Sequence, residues 1–471
     1  MINKERALWT LLIGALLIRL LSLGLYPLMD TTESRYGEMA RMMVETGNWL
    51  TPLFDYGVPF WGKPPLFTWM SAASVELFGL SEFTLRLPHW VAGVLVIWMA
   101  AWFAKKNSYN PLVAALVLST TLVFSISAGA VMTDMALTVG LTLAMIGFYQ
   151  CWKGELLWGY AGFVGLAIGL LAKGPVAIVL FGLAVFPWMV IQHGIIGAFV
   201  ELWRRFPLIK GTLLMLAIAL PWYILAERAT PGFIDYFIVG EHYKRFVEPG
   251  WTGDLYGSGH QEPKGKIWFF WLLAVLPWSI ILPILMLIRA KFGWQQAKQN
   301  QGFTSFAIWW LLSPLILFTM SSNILPTYVL PGTPAIGILL AIFWKKKDTI
   351  WLAIASLIVP IALIAATYLL ATGKVPDNSD KAIFETIDPD VSAFYVYPRS
   401  YSGQYYSNGQ AKVFETDEQV KQLNEFYIIS YKDRQADFVP FKEKYDCSED
   451  AVAESHDRMA LICKIKPPKN D

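Results

Sequence analysis

Long apolar runs alternate with short polar segments over most of the chain. About 20 helical residues cross the hydrocarbon core of a membrane, and apolar runs near that length recur throughout residues 1–371. The pattern predicts about eleven transmembrane helices, at residues 7–28, 87–104, 111–129, 132–152, 156–172, 175–192, 208–226, 267–289, 304–320, 327–344 and 349–371. We therefore expect a polytopic α-helical membrane protein.

Two stretches depart from this pattern. Residues 29–86 are too many for a simple connection, and the helical spacing within 33–44 and 64–78 predicts two helices that lie along the membrane surface. Residues 372–471 alternate short apolar runs with polar stretches, which predicts a small soluble α/β domain. The predicted domains are a membrane domain, 1–371, and an extracytoplasmic domain, 372–471.

Composition and charge support this interpretation. Hydrophobic residues make up 55% of the 471 residues and charged residues only 16%, which is unlike a soluble protein. Lysine and arginine concentrate in alternate loops, such as 105–106 and 345–347. Because cytoplasmic loops carry this excess, we expect a multi-pass protein of the cell inner membrane with a cytoplasmic N-terminus and a periplasmic C-terminus. The net charge of +2 indicates no nucleic-acid partner, since topology explains the basic residues.

Three carboxylates lie where predicted spans meet the outer compartment. Asp30 and Glu33 follow the first apolar run, and Asp134 stands alone between two later runs. A charge at a membrane boundary indicates function, whereas capping of a helix N-terminus is the structural alternative. We interpret these residues as catalytic candidates that form two halves of one active site.

Several other residues on the outer side are candidate ligands for phosphate or substrate. Lys63 precedes two prolines that fix its backbone, and Lys173 precedes a Gly-Pro turn. An ammonium group presented in this way can bind phosphate as a point charge, although snorkelling to the lipid headgroups is the structural alternative. The candidate substrate-binding residues are Arg35, Tyr36, Lys63, Lys173, Glu241, His242 and Arg245.

Metal and disulfide chemistry are less strongly indicated. His260 and Glu262 are weak candidate ligands for a divalent metal, so a metal is possible, but the sequence requires no cofactor. Cys447 and Cys463 both lie in the predicted outer domain, where oxidising conditions permit a bridge. We expect a disulfide there, with two free thiols as the alternative.

Six motifs follow one another in order at residues 30–38 (DTTESRYGE), 47–52, 60–67, 86–88, 173–175 and 325–331. This ordered set resembles the GT-C glycosyltransferases, and more narrowly the bacterial relatives of protein O-mannosyltransferases and of the transferases that add 4-amino-4-deoxy-L-arabinose to lipid A. The resemblance implies a GT-C fold and the transfer of a sugar from a polyprenyl-phosphate carrier, with inversion, at the periplasmic face. The implied acceptor is lipid A, another glycan or a protein. Membrane lipids are the other implied partners.

The chain also departs from this family. Many members carry Asp-Glu in the first motif, where this chain has Thr32-Glu33 and an aspartate displaced to position 30. The first carboxylate therefore stays open between Asp30 and Glu33, while Asp134 resembles the second acidic residue of the family. The alternative function is a flippase or transporter for polyprenyl-linked lipids, which is less favoured because the chain shows no internal repeat and its acidic residues gather at one boundary.

Overall fold

The computed structural model describes residues 2–248, 251–257, 261–291, 295 and 300–465, with side chains from Glu5 onward. Most of these residues are helical, as the apolar runs predict. The helices that fall within or beside the predicted spans are Ile2–Ser22, Glu82–Lys106, Pro111–Ser119, Leu122–Ser127, Thr133–Trp152, Leu156–Lys173, Val176–Arg205, Leu208–Ala229, Lys266–Ala274, Trp278–Ile288, Phe303–Thr319, Thr333–Phe343 and Thr349–Ala371.

The polytopic class is confirmed, but the count of eleven spans is not. Among the described residues, seven helical segments are long and apolar enough to cross a membrane. The number is eight if Lys266–Ala274 and Trp278–Ile288, which are bent by 96° relative to each other, form one broken span. Helix also occurs in each of the remaining predicted spans. One of them is divided into Pro111–Ser119 and Leu122–Ser127, however, and Phe303–Thr319 is shorter than a full span.

A seam of glycines joins the helices Thr133–Trp152 and Leu156–Lys173 as an antiparallel hairpin. A Cβ atom added at Gly140 would lie 2.6 Å from the carbonyl oxygen of Gly165, and one at Gly147 would lie 2.5 Å from the nitrogen of Gly162. Apolar side chains gain little by leaving lipid, so close backbone packing through small residues is what holds such helices together. The seam fixes the register of the hairpin and brings its two open ends to the same level.

The segment after the first helix, predicted to lie on the outer side and called the outer segment, contains helices at both predicted positions, Thr32–Thr46 and Leu66–Phe78. The first ends at Gly47, whose φ of 66° is the left-handed conformation that glycine adopts without steric cost. A short antiparallel pair of strands, Leu53–Asp55 and Val58–Pro59, lies between the helices. Their buried faces share one apolar core, which includes Tyr36, Met39, Met43, Phe60 and Phe67.

The last part of the described chain is built on a mixed sheet. Its strands are Ala393–Tyr395, Lys412–Val413, Glu425–Tyr431, Asp446–Cys447, Ala453–Glu454 and Arg458–Lys464, and its helices are Lys381–Thr386, Tyr401–Tyr406 and Val439–Lys444. The two long strands pair antiparallel, whereas Ala393–Tyr395 runs parallel to its two neighbours. Alternate residues of Glu425–Tyr431 enter two separate apolar cores, as the period of two in a strand requires. The predicted disulfide between Cys447 and Cys463 is present.

Ion pairs distinguish the two ends of the membrane helices. Glu82, at the start of helix Glu82–Lys106, pairs with Lys381 of the sheet-containing part at 2.7 Å. Lys106, at the other end of that helix, pairs at 2.9 Å with Glu155 in the next basic loop. The sheet-containing part and the surface helices therefore lie at one end of the helix, and this basic loop lies at the other.

Candidate active site

The glycine-packed hairpin places a carboxylate beside an ammonium group. Asp134 lies in the first turn of Thr133–Trp152 and Lys173 is the last residue of Leu156–Lys173. The Lys173 Nζ donates to Asp134 Oδ1 at 2.6 Å, and both side chains are largely buried. The same Nζ lies 4.2 Å from the centre of the Tyr328 ring, which favours a cation over its face. Two candidate residues 39 positions apart thus form one ion pair.

A second network joins the outer segment to the π-helix Asp235–Lys244. The Lys63 Nζ donates to Glu241 Oε2 at 2.8 Å, and the Arg245 Nη1 donates to both oxygens of Glu241 at 2.8 and 2.9 Å. Burial alone would raise the pKa of Glu241, but the two adjacent cations hold it at about 2. Glu241 therefore stays ionised and fixes the positions of Lys63 and Arg245.

His242 supports the turn that follows Lys173. Its Nε2 lies 3.1 Å from the carbonyl oxygen of Lys173, and its Nδ1 lies 2.8 Å from that of Phe237. Burial lowers the pKa of His242. Gly174 packs closely here, with φ at 84° and no room for a Cβ beside the Phe237 ring. His242 thus holds the backbone of Lys173, although it also lines an apolar cavity.

Arg35 and Tyr36 lie on the surface helix beside a ring of tyrosines. The Arg35 Nη1 donates to the carbonyl oxygen of Tyr256 at 2.8 Å, and its guanidinium lies within 5.5 Å of the centre of the Tyr401 ring. The Tyr36 ring packs edge-on against Phe67, with 4.6 Å between ring centres. Arg35 keeps a buried Nε without a hydrogen-bond partner, so this guanidinium retains donor capacity.

These groups surround two adjoining cavities. The first, of about 360 Å³, is the more polar of the two and is called the polar cavity, and its walls include Thr32, Arg35, Tyr256 and Tyr401. The second, of about 320 Å³, is mostly apolar, and its walls include Val176, Val179, Phe246, Leu317 and Phe318. Five residues line both cavities, and we call this set the junction: Lys63, Lys173, Glu241, Arg245 and Tyr328.

Asp30 and Glu33 do not line either cavity. Asp30 accepts hydrogen bonds from the Ser34 side chain and from Ser402 of the sheet-containing part, and burial raises its pKa. Glu33 binds the guanidinium of Arg86 through both oxygens at 2.8 and 2.7 Å. The geometry therefore brings Asp134, but neither carboxylate of the first motif, to the wall of the cavity, because Ser402 and Arg86 hold the other two elsewhere.

Four residues of the site were not among the sequence candidates. Asp254 and Tyr256 lie in the Gly-rich stretch after the π-helix, Tyr328 lies in the last motif, and Tyr401 comes from the sheet-containing part. The motif around Tyr328 was a usable signal. The other three lie in segments without a distinctive pattern, so only the folded chain identifies them.

The metal site at His260 and Glu262 stays a prediction. His260 lies outside the described residues, and Glu262 pairs with Lys266. Within the described part of the chain, no three His, Cys, Asp or Glu side chains gather as metal ligands. The cavity carboxylates Asp134, Glu241 and Asp254 each face a cationic side chain instead.

The arrangement is suited to a ligand with a long apolar tail and an anionic head. Lys63, Lys173 and Arg245 can donate hydrogen bonds to a phosphate at the junction, because the carboxylates that hold them leave other donor hydrogens free. The apolar cavity can take the tail and the polar cavity a hydrophilic group attached to the phosphate. Charge developing on a departing phosphate would be stabilised in place.

Comparison with known proteins agrees with this architecture. A family profile described as dolichyl-phosphate-mannose-protein mannosyltransferase matches residues 7–237. The chain is 31% identical over 343 residues to the undecaprenyl phosphate-alpha-4-amino-4-deoxy-L-arabinose arabinosyl transferase of Enterobacter sp. (strain 638), covering 70% of this chain and 58% of the relative. The protein of the same name from Aeromonas hydrophila is 30% identical over 348 residues, covering 71% and 59%. The chain thus aligns with less than two thirds of the length of these curated relatives.

Solved structures extend the likeness to nearly the whole chain. ArnT from Cupriavidus metallidurans bound to undecaprenyl phosphate superposes with a TM-score of 0.73 at 19% identity, covering 96% of this chain and 97% of that one. The apo state of the same protein gives a TM-score of 0.72. At this identity the likeness establishes the fold. The resemblance predicted from the motifs is confirmed.

Proposed function

The protein has the GT-C fold and is related in sequence to undecaprenyl phosphate-alpha-4-amino-4-deoxy-L-arabinose arabinosyl transferases, and on this premise we propose that it is a membrane glycosyltransferase. It moves a sugar from a polyprenyl-phosphate carrier to an acceptor by inverting displacement. The observation that carries the proposal is the junction, where three cations lie between a polar and an apolar cavity. A polyprenyl-linked sugar has the same order of parts: apolar chain, phosphate and sugar.

The charged residues of the junction, together with Asp134, have distinct roles in this reaction. The carrier phosphate binds to Lys63, Lys173 and Arg245, with its isoprenoid chain in the apolar cavity. Attack of the acceptor oxygen at the anomeric carbon breaks the bond to the phosphate, which departs with the electron pair and an added negative charge. The three cations stabilise that charge. Glu241 and Asp134 position them.

The reaction takes place on the periplasmic side of the inner membrane in this proposal. The excess of lysine and arginine in loops on the opposite side supports a cytoplasmic N-terminus and a periplasmic C-terminus. A reporter that is active only in the periplasm should function when fused at the C-terminus or within residues 231–248, and should be silent at Lys106 or Lys346. An inactive reporter at the C-terminus would contradict the proposed orientation.

The relatives indicate which sugar and which acceptor should be tested first. The names of the relatives support 4-amino-4-deoxy-L-arabinose as the first sugar to test, and mannose as the second. Lipid A is the first acceptor to test, before other glycans and proteins. The tyrosines of the polar cavity can stack on a sugar ring, and the cationic Arg35 can contact an acidic acceptor.

The direct test uses purified protein in nanodiscs with radiolabelled undecaprenyl-phosphate sugars. We expect label to pass to lipid A and free undecaprenyl phosphate to accumulate in equal amount. Lys63→Ala should transfer poorly, whereas Lys442→Ala, a change far along the sheet-containing part, should transfer normally. Movement of the labelled carrier between leaflets without release of undecaprenyl phosphate would favour the flippase and contradict the transferase.

A further inference from the structure

Three carboxylates line the polar cavity, and they differ in how firmly cations hold them: Asp134, Glu241 and Asp254. We propose that Asp254 is the general base that takes the proton from the acceptor. The inference rests on the proposed transferase function and adds a catalytic residue to it. Asp254 lies outside every motif that the sequence analysis identified.

Glu241 is unsuited to this role. Lys63 and Arg245 bind it through three hydrogen bonds of 2.8 to 2.9 Å. The pKa of about 2 that results leaves a very weak base near neutral pH. Glu241 positions the cations instead.

Asp134 is constrained in a similar way. Its Oδ1 lies 2.6 Å from the Lys173 Nζ, which is a short charge-assisted hydrogen bond. It also lies in the first turn of a 20-residue helix, which fixes its backbone. Asp134 therefore serves to hold Lys173.

Asp254 is held more loosely. Its Oδ2 lies 3.3 Å from the Arg245 Nη1, which is longer than the usual range for a charge-assisted hydrogen bond. Its Oδ1 accepts a hydrogen bond from the backbone nitrogen of Tyr256 at 3.0 Å. One carboxylate oxygen is therefore oriented by the backbone, while the other, within the described part of the chain, contacts only Arg245, at 3.3 Å.

The segment that carries Asp254 is fixed against the outer wall of the cavity. The Tyr256 carbonyl accepts from Arg35 at 2.8 Å, and the Tyr256 hydroxyl donates to the carbonyl oxygen of Pro59 at 2.8 Å. Asp254 thus shares the cavity with Thr32. Position 32 is where many members of the resembled family carry an acid, and its hydroxyl here cannot act as a base at neutral pH. Asp254 supplies a carboxylate to the same cavity.

The proposed step conserves atoms and charge. The acceptor O–H gives its proton to the carboxylate of Asp254 as its oxygen bonds to the anomeric carbon. The bond from that carbon to the carrier phosphate breaks, and the electron pair leaves with the phosphate at the junction. Asp254 is left protonated and then loses the proton to water through the polar cavity.

The test compares Asp254→Asn with Asp235→Asn, which removes an exposed carboxylate from the same outer segment outside the cavity walls. A general base contributes about 10²- to 10⁴-fold, so Asp254→Asn should lower kcat by that factor with little change in the KM for the donor. Asp235→Asn should retain wild-type kinetics. Adding Thr32→Asp to Asp254→Asn should recover about tenfold or more of the lost kcat, because it returns a base to the cavity.

The outcomes separate this inference from the proposed function. A wild-type protein that transfers sugar, together with an Asp254→Asn variant of unchanged kcat, would overturn only the role of Asp254. A wild-type protein that transfers nothing would overturn both. If thermal melting shows that Asp254→Asn is unfolded, Asp254→Glu decides: its displaced carboxylate should lower kcat and leave the donor KM unchanged, and an unchanged kcat would contradict the role.

Discussion

Two ion pairs at the membrane boundary have the same chemistry and different surroundings. Glu33 pairs with Arg86, and Asp134 pairs with Lys173, at 2.7 and 2.6 Å. Each carboxylate lies in the first turn of a helix. By position and residue type alone, the two carboxylates are equivalent candidates for catalysis.

The partners of the two carboxylates differ. Arg86 is fully buried, and besides Glu33 it binds the backbone carbonyl oxygens of Leu23, Tyr26 and Pro27 at 2.7 to 2.9 Å. Its donors are all committed to holding the chain between the first helix and the surface helix. Lys173 instead lies in the wall of both cavities. The Glu33 pair is therefore structural and the Asp134 pair belongs to the site.

The largest effect is expected from a substitution that breaks the Glu33–Arg86 pair. Arg86→Met should lower the stability of the protein by about 3–5 kcal/mol, because it leaves Glu33 as an unpaired, mostly buried charge. Three carbonyl oxygens would also lose their donor. Thermal melting of detergent-purified protein, followed by size-exclusion chromatography, measures this loss. A melting temperature equal to that of the wild type would show that the Glu33–Arg86 pair does not hold the fold.

The next effect concerns the pair in the site. Asp134→Asn should lower kcat/KM by about 10²-fold, as removal of a charge-stabilising group does, because Lys173 loses the partner that positions it. The amide keeps the shape of the aspartate, and its oxygen can still accept a hydrogen bond from Lys173, so the melting temperature should fall less than in Arg86→Met. Transfer assays and melting curves on the same preparation check both expectations.

Glu33→Gln is the matched control for that change. It should reduce stability more than Asp134→Asn does, while the folded fraction keeps a KM for the donor close to that of the wild type. If Glu33→Gln removed transfer without loss of stability and Asp134→Asn did not, the assignments of the two pairs would be reversed.

A smaller, pH-dependent effect is expected at Glu241. Burial opposes ionisation of this carboxylate, but Lys63 and Arg245 lower its pKa from 4.5 to about 2. Its stabilising contribution is therefore fully present above about pH 4.5 and is lost as the pH falls towards 2. The difference in melting temperature between wild type and Glu241→Gln should be constant near neutral pH and should shrink below about pH 4.5. A difference that grew as the pH fell would contradict this assignment.

The sequence identified the three cations of the junction, but it did not show which carboxylates line the cavity. Lys63, Lys173 and Arg245 were identified because basic residues at an outer boundary, next to prolines or on one helix face, are informative. Their common location depends on the glycine seam and on the π-helix, which no local pattern revealed. Asp30, Glu33 and Asp134 looked alike because their partners, Ser402, Arg86 and Lys173, are distant in sequence.

The fold was also predicted only where local sequence patterns determine it. The apolar runs predicted helix at every span, and the surface helices were predicted within two residues of their observed starts. The number of full spans could not be predicted, because an apolar run does not reveal a 96° bend such as that between Ala274 and Trp278. Tyr401 lies 365 residues beyond Tyr36 and reaches the polar cavity only through tertiary packing, so its role could not be predicted from the sequence.

The central claim is that the junction binds the phosphate of a polyprenyl carrier, and one binding cycle tests it most directly. The affinities of undecaprenyl phosphate and of undecaprenol are measured for the wild type and for Lys63→Ala in nanodiscs. We expect Lys63→Ala to weaken binding of the phosphate by about 2–4 kcal/mol, the cost of removing a charge-assisted contact at a buried site, and to leave binding of the alcohol nearly unchanged. Equal weakening of both ligands would show that Lys63 supports the cavity without contacting the phosphate, and would contradict the account.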